Sequence, residues 1–334
     1  MSSGPQKLVD PVVLDCTFRD GGYYTDWHFD DALLKEYLAA ISRSRVNVIE
    51  AGYLAPTAST CGRFKVDRLD KFDFLPRLPG RRWCAMIDSK AFLGLPDWRS
   101  RVRTALGDPR DGVVELVRIA SRYDDLAGVE ELVQLVADQG YRAALNLMQV
   151  DAAVPAQLDQ VAATVSRAGH LEAVYVADSF GSMTPGRVTE LVERLRAAMD
   201  APVGFHAHDN QGLALLNAMA AIDAGATWID ATVAGMGRGA GNVATEQLCT
   251  LLATGQDDVF DALLARHFST LKVRHGWGGN VLYRIAAQRR LHPMYVQALP
   301  QRDMGELADV VRSIPSKSAG AFDRQVLEEV LHGH

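Results

Sequence analysis

The segment Val203-Gly-Phe-His-Ala-His-Asp-Asn210 carries two histidines at alternate positions directly after an apolar run. In an extended strand residues i and i+2 project from the same face, so His206 and His208 point the same way. Two imidazoles converging at a strand end make half of a divalent metal site, and a purely structural pair is the competing reading. The other half is expected from Leu14-Asp-Cys-Thr-Phe-Arg-Asp-Gly-Gly22, which puts Asp20 at the end of the first strand. One aspartate and two histidines facing one cavity form a facial ligand set that leaves coordination positions open. Carboxylate and imidazole without thiolate suit Mn2+, Mg2+, Co2+ or Fe2+ better than structural zinc, and open positions let a substrate chelate the ion through two oxygens. Arg19 stands beside Asp20 and is always charged. Near a metal-bound carbonyl it would stabilise a developing enolate oxygen, and a structural ion pair is its alternative role.

These residues need elements to hold them. Short apolar runs alternate with helical patterns through the first three-quarters of the chain. The strands are predicted over Val12–Thr17, Val46–Ala51, Trp83–Ile87, Val113–Ile119, Arg142–Leu147, Ala173–Ala177, Val203–Ala207 and Trp228–Val233. They are nearly continuous in apolar character, as parallel strands buried on both faces are. Helices are predicted over Asp31–Ser42, Gly128–Gln139, Val154–Ala168, Pro185–Met199, Gly212–Ala224 and Ala244–Ala253, with Thr184 as an N-cap and Pro185 at the first helical position. Eight strand–helix units predict a (β/α)8 TIM barrel over residues 8–255. A doubly wound sheet is the competitor, but no strand is followed by a GxGxxG dinucleotide loop. Residues 256–334 turn to helices without strands, predicted over Val259–Ala265, Asn280–Gln288, Pro293–Ala298 and Met304–Ser313. They read as a C-terminal helical lid or oligomer interface.

In such a barrel chemistry sits at the C-terminal strand ends. In order these carry Arg19 and Asp20, then Glu50, Asp88, Arg118, Asn146 with Gln149, Asp178 with Ser179, the His206/His208 pair, and Asp230 with Thr232. Glu50, Arg118, Asp178 and Ser179 are the candidate substrate contacts. Glu50, Asp88 and Asp230 also read, one at a time, as helix caps or satisfied buried groups. After the eighth strand, Ala234-Gly-Met-Gly-Arg-Gly-Ala-Gly-Asn-Val243 is rich in glycine. It reads as a phosphate cradle, or as a close backbone approach to the metal or a substrate carboxylate, with Gly237 as the substrate contact and Asn242 as cap of the following helix.

Composition narrows the classes. The 334 residues are 48% hydrophobic and 23% charged, ordinary for a globular protein. A net charge of −6 argues against nucleic acid. No apolar run reaches the length of a membrane span, and Met1-Ser-Ser-Gly-Pro-Gln-Lys7 lacks the apolar segment of a signal peptide. The cysteines Cys16, Cys61, Cys84 and Cys249 form no CxxC pair, so a reduced cytoplasmic protein is expected.

Taken in order, Thr17-Phe-Arg-Asp-Gly21, Ile49-Glu-Ala-Gly52, Ala177-Asp-Ser-Phe-Gly181, His206-Ala-His-Asp-Asn210 and Gly235–Asn242 resemble the DRE-TIM metallolyase superfamily. That group includes 4-hydroxy-2-oxovalerate aldolase, hydroxymethylglutaryl-CoA lyase and isopropylmalate synthase, and the resemblance spans residues 12–254. It implies a (β/α)8 barrel using Mn2+ or Mg2+. It further implies Asp20, His206 and His208 as ligands, Arg19 as enolate stabiliser, and Asn242 as a further ligand or a group just behind the ligands. Ala231–Asn242 resembles the loop of the pyruvate-specific aldolases and holds no cysteine, unlike the acyl-CoA lyases. The resemblance therefore implies an aldolase that cleaves or forms a 4-hydroxy-2-oxo acid, giving pyruvate enolate and an aldehyde. His275-Gly-Trp-Gly-Gly-Asn280 and His292-Pro-Met-Tyr-Val296 resemble the tails of stand-alone aldolase-like proteins of biosynthesis. As partners it implies a second copy in a homodimer and an aldehyde-consuming dehydrogenase. One departure stands out: the pyruvate aldolases carry a histidine base where this chain has Tyr23. A phenol with a reference pKa near 10 is a poor base unless its surroundings lower it. Tyr23 then acts as base or as hydrogen-bond donor, with Tyr24, His28 or a metal-bound water moving the proton. An acyl-CoA/2-oxo acid condensing enzyme or lyase, and a catalytically silent metal-binding scaffold, are the alternatives.

Overall fold

The computed structural model describes residues 10–56, 61–169, 171–253 and 258–333. The barrel start at Leu8 and the boundary between Gly255 and Gln256 lie outside the described residues, as does Met1–Lys7. Among the described residues nine parallel strands run in chain order: β1 (Val12–Asp15), β2 (Val46–Leu54), β3 (Lys65–Val66), β4 (Arg82–Asp88), β5 (Val114–Arg122), β6 (Arg142–Met148), β7 (Val174–Asp178), β8 (Val203–Ala207) and β9 (Trp228–Ala231). Around the ring the order is β1-β9-β8-β7-β6-β5-β4-β2, and pairing of β1 with β2 through Val13↔Val46, Leu14↔Val48 and Asp15↔Ile49 closes the barrel. All eight predicted strands are present. The two-residue β3 hangs on the end of β2 and carries no apolar run that would mark it in the sequence.

Period-two alternation sorts each strand into two faces. Outward residues such as Ile49, Val117, Leu145, Val176 and Ile229 join the shell packed under the helices. Inward residues Leu14, Cys16, Val48, Cys84, Leu116, Ala144, Tyr175 and Trp228 fill the barrel floor. The next inward positions up are polar, and there the site begins.

The predicted helices are present at Asp31–Arg43, Val129–Asp138, Pro155–Ala168, Pro185–Ala198, Ala214–Asp223 and Thr245–Leu252. Thr184 holds the N-cap position without a side-chain bond, leaving Pro185 to set the helix start. Trp98–Leu106 is a further helix whose mean character is too polar to stand out. The tail packs its own apolar cluster, including Leu282, Tyr283, Tyr295, Val310 and Val311, on Ala240 of the glycine-rich loop. It is pinned over the barrel mouth: Arg290 Nε meets Asp151 Oδ2 at 2.9 Å, Gln149 Nε2 donates to Gly320 O at 2.7 Å, and Trp277 Nε1 donates to Ala234 O at 3.0 Å. The segment expected as one helix from Val259 instead runs as Asp261–Leu263, a π-turn over Leu264–Phe268, and Ser269–His275, and Arg324–His332 adds a final helix. No helix among the described residues is long and apolar enough to cross a membrane.

Candidate metal centre and cavity

Asp20 is not on a strand. The buried carboxylate of Asp15 accepts from the Thr17 N–H at 3.0 Å, from Tyr37 Oη at 2.7 Å and from Thr245 Oγ1, and so ends β1 two residues early. Thr17–Asp20 then form one helical turn, tied to the next strand end by the Val233 N–H donating to Thr17 Oγ1 at 2.8 Å. The turn delivers Arg19 and Asp20 into the barrel mouth, correcting the strand expected to run through Thr17.

The alternation at His206 and His208 holds. Their Nε2 atoms lie 3.6 and 3.7 Å from Asp20 Oδ2, and all three side chains are buried. Each imidazole is aimed from behind. His206 Nδ1 is 2.9 Å from Asp230 Oδ2, and His208 Nδ1 is 2.9 Å from the Asp178 carbonyl oxygen. Both acceptors select the tautomer that turns a bare Nε2 toward Asp20. Asn242 donates from Nδ2 to Asp20 Oδ2. It does not cap the following helix, whose N-cap is Ala244.

A divalent ion fits these residues. His208 Nε2 and Asn242 Oδ1 are buried with no hydrogen-bond partner, a costly state that an ion beside them would relieve. The ligand atoms of Asp20, His206 and His208 lie within 4.8 Å of one another. Burial pushes the Asp20 carboxyl up, but the Arg19 guanidinium and the two imidazoles outweigh it and hold it well below the usual carboxylate range. Burial drives His208 down to about 3, so it is neutral and able to ligate.

Beneath lies a closed ionic network. Arg19 donates from Nε to Glu50 Oε2 at 2.7 Å, and its Nη1 is 3.0 Å from Asp20 Oδ1. Arg118, wholly buried over the Tyr175 ring, reaches Glu50 Oε1 at 3.1 Å and Asp230 Oδ2 at 2.6 Å. Burial raises the Asp230 carboxyl, and Arg118 with His206 more than reverses that. One guanidinium thus steadies both the arginine and a histidine of the site above. Arg19 Nη2 is left buried and without a hydrogen-bond partner, and Arg19 lines the cavity above.

That cavity, about 340 Å3, opens at the C-terminal strand ends. Arg19, Tyr23, Ser179, His206 and His208 line it, with Asp20 and Asn242 just behind. Glu50, Arg118 and Asp178, expected as substrate contacts, are not among the residues that line it. The first two form the network below, and the Asp178 carboxylate accepts from the Ser182 and Met183 N–H groups at 2.9 and 3.1 Å. Burial pushes that carboxyl up to about 7 against those bonds. Gly237 also lies off the cavity surface. A Cβ there would sit 2.5 Å from Asn242 Nδ2, so the glycine makes room for that amide. Tyr23 Oη is 3.0 Å from Tyr53 Oη, Tyr24 donates to Gly239 O at 2.6 Å, and His28 is exposed.

Tyr53, Lys90, Arg122, Arg238 and His292 also line the cavity and were not foreseen. Tyr53 enters through a register shift in β2 at Gly52, whose φ of +150° and tight approach to Phe64 O exclude a side chain. Arg238 is the one charged residue among the loop glycines, the signal that marks it. His292 arrives from the tail.

Comparison with known proteins places the chain. The HMGL-like family model matches residues 116–271. A 4-hydroxy-2-oxovalerate aldolase of Roseiflexus sp. (strain RS-1) is 31% identical over 242 residues, covering 72% of this chain and 70% of the relative. An oxaloacetate decarboxylase of Mycobacterium tuberculosis is 29% identical over 262 residues, covering 76% and 75%. Among solved structures, the N-terminal domain of a candidate aldolase from Bacteroides vulgatus superposes with a TM-score of 0.74 at 29% identity, covering 85% of this chain and 95% of that one.

Proposed function

The chain belongs to the HMGL-like family of the DRE-TIM metallolyases, and from that premise we propose that this carbon–carbon lyase is a pyruvate aldolase acting on a 4-hydroxy-2-oxo acid. The observation that carries the reading is the buried Arg19 Nη2, without a hydrogen-bond partner, on a residue that lines the cavity beside the Asp20–His206–His208 set. A divalent ion such as Mn2+ or Mg2+, held by Asp20, His206 and His208 with Asn242 alongside, would supply Lewis acidity toward the 2-oxo acid. Arg19 donates from Nη2 to the C2 oxygen as it gains enolate charge, in a site where a fixed donor acts at low dielectric. Glu50 and Asp20 hold that guanidinium, so it need not reorganise during the reaction. In the cleavage direction Tyr23 Oη takes the 4-hydroxyl proton while its own phenol proton passes to water in the cavity, the C3–C4 bond breaks, and its electron pair becomes the pyruvate enolate. The C4–O bond becomes the aldehyde carbonyl. The condensation direction uses the same groups in reverse.

A second reading is decarboxylation of a 3-carboxy-2-oxo acid, which leaves the same enolate and releases CO2. It is favoured by one observation: Tyr23 Oη is paired with the Tyr53 phenol, and burial pushes Tyr53 far above the ordinary tyrosine range. Losing CO2 requires no acceptor for a hydroxyl proton. Both readings share enolate chemistry, which exchange of the pyruvate C3 protons for deuterium in D2O tests directly by NMR. Exchange that needs Mn2+ or Mg2+ and stops on chelation supports the proposal. No exchange from the metal-loaded protein refutes it.

A further inference from the structure

Around the barrel mouth β5 lies opposite β9. Asp20, Arg19, His206 and His208 hang from β1 and β8, the two neighbours of β9. Lys90 follows β4 and Arg122 ends β5, on the far wall of the same cavity. At about 30 Å3 per water-sized group, the cavity holds on the order of ten heavy atoms.

Beside the apolar Met86 and Ala120, the far wall carries two cations. Lys90 makes no ion pair among the described residues, although the Asp88 carboxylate feels its charge. Asp88 also lines the wall, but its Oδ1 is engaged by the Lys90 N–H at 3.0 Å as the cap of the short helix Ser89–Leu93. Arg122 is held by Asp124 through Nε at 2.9 Å and Nη2 at 2.7 Å, which fixes the guanidinium and leaves Nη1 for another acceptor. Asp124 itself is off the cavity surface. Arg238, on the loop after β9, adds a third cation on the metal side of the cavity. A lysine and a preoriented arginine facing a confined space form a receptor for a carboxylate or a phosphate.

We propose that the substrate's far end, beyond the bond that breaks, carries a second anionic group received by Lys90 and Arg122. The inference deepens the aldolase reading and rests on it for which wall holds the 2-oxo acid end.

The test is binding, read by calorimetry on the Mn2+-loaded protein. The ligands are 2-oxoglutarate, 2-oxopentanoate, which replaces the distal carboxylate by a methyl, and 2-oxo-4-phosphonobutanoate. A charge-assisted contact predicts on the order of 10- to 100-fold tighter binding of the dianions than of 2-oxopentanoate. That ratio should fall toward one in Lys90→Gln and Arg122→Gln, both at exposed or half-exposed positions where folding is undisturbed. Preference for the phosphonate identifies a phosphate as the natural group, and preference for 2-oxoglutarate a carboxylate. Equal binding of 2-oxopentanoate, no detectable binding of either dianion, or an unchanged ratio in both variants overturns the proposal. Failure of the aldolase reading looks different: the binding preference persists while pyruvate C3 exchange is absent.

Discussion

Replacing Arg118 by methionine removes the guanidinium that joins the two halves of the centre while keeping most of its volume. Glu50 and Asp230 are 0% and 1% exposed, so their carboxylates lose a partner and regain no water. Breaking a buried ionic contact on one side costs about 3–5 kcal/mol. Each carboxylate here retains a second partner, Arg19 for Glu50 and His206 for Asp230, which puts the expected loss near the low end, about 3 kcal/mol. That is a large share of a typical total of about 5–15 kcal/mol. The same change frees Arg19 and His206 to reorient, and losing such support typically weakens metal affinity by about 10- to 100-fold. Urea denaturation gives the first quantity, and competition with a chelator for Mn2+ gives the second. Arg118→Lys keeps the charge but spans only one carboxylate, so it should fall between wild type and Arg118→Met in both. Stability within about 0.5 kcal/mol of wild type together with unchanged Mn2+ affinity would show that Arg118 organises nothing.

Three further outcomes follow from the same geometry. Gly237→Ala drives a methyl against the Asn242 amide and should weaken Mn2+ binding by on the order of tenfold with little change in fold, read by the same chelator competition. Tyr23→Phe should lower turnover of a 4-hydroxy-2-oxo acid by about 10²- to 10⁴-fold yet preserve pyruvate C3 exchange, and equal turnover would move the proton elsewhere. His292 supplies a pH test. Burial, with Arg238 second, pushes it down to about 3, whereas an unfolded histidine titrates near 6.5. Between those values the unfolded chain binds the extra proton, so this contribution is present above pH 6.5 and is lost as pH falls toward 3. Relative to His292→Asn, wild type should lose about 2 kcal/mol between pH 7 and pH 5 in urea denaturation, and parallel profiles would contradict the burial argument.

Much of this was legible from the residues. Parallel strands buried on both faces are continuous apolar runs, and the i, i+2 spacing put His206 and His208 on one face regardless of their surroundings. What failed depended on contacts between distant segments. The early end of β1 needs Tyr37 and Thr245 on the Asp15 carboxylate, and neither is near Asp15 in sequence. Glu50 and Arg118 stood at the right strand ends, but the alternation alone does not reveal which inward layer touches substrate and which supports it. Asn242 looked like a helix cap because its pairing with Asp20 joins residues 222 apart in sequence, brought together only where the first and last strands pair to close the barrel. Lys90, Arg122 and His292 became part of one cavity only once the strand ends converged and the tail folded over the mouth.

The most direct test of the central claim is pyruvate release from a panel of 4-hydroxy-2-oxo acids by protein stripped of metal and reloaded with Mn2+ or Mg2+. Release that appears on reloading, stops on chelation and is lost in His206→Ala is the predicted result. Release that continues unchanged in chelator or in His206→Ala, or no release from any member while metal remains bound, would contradict it.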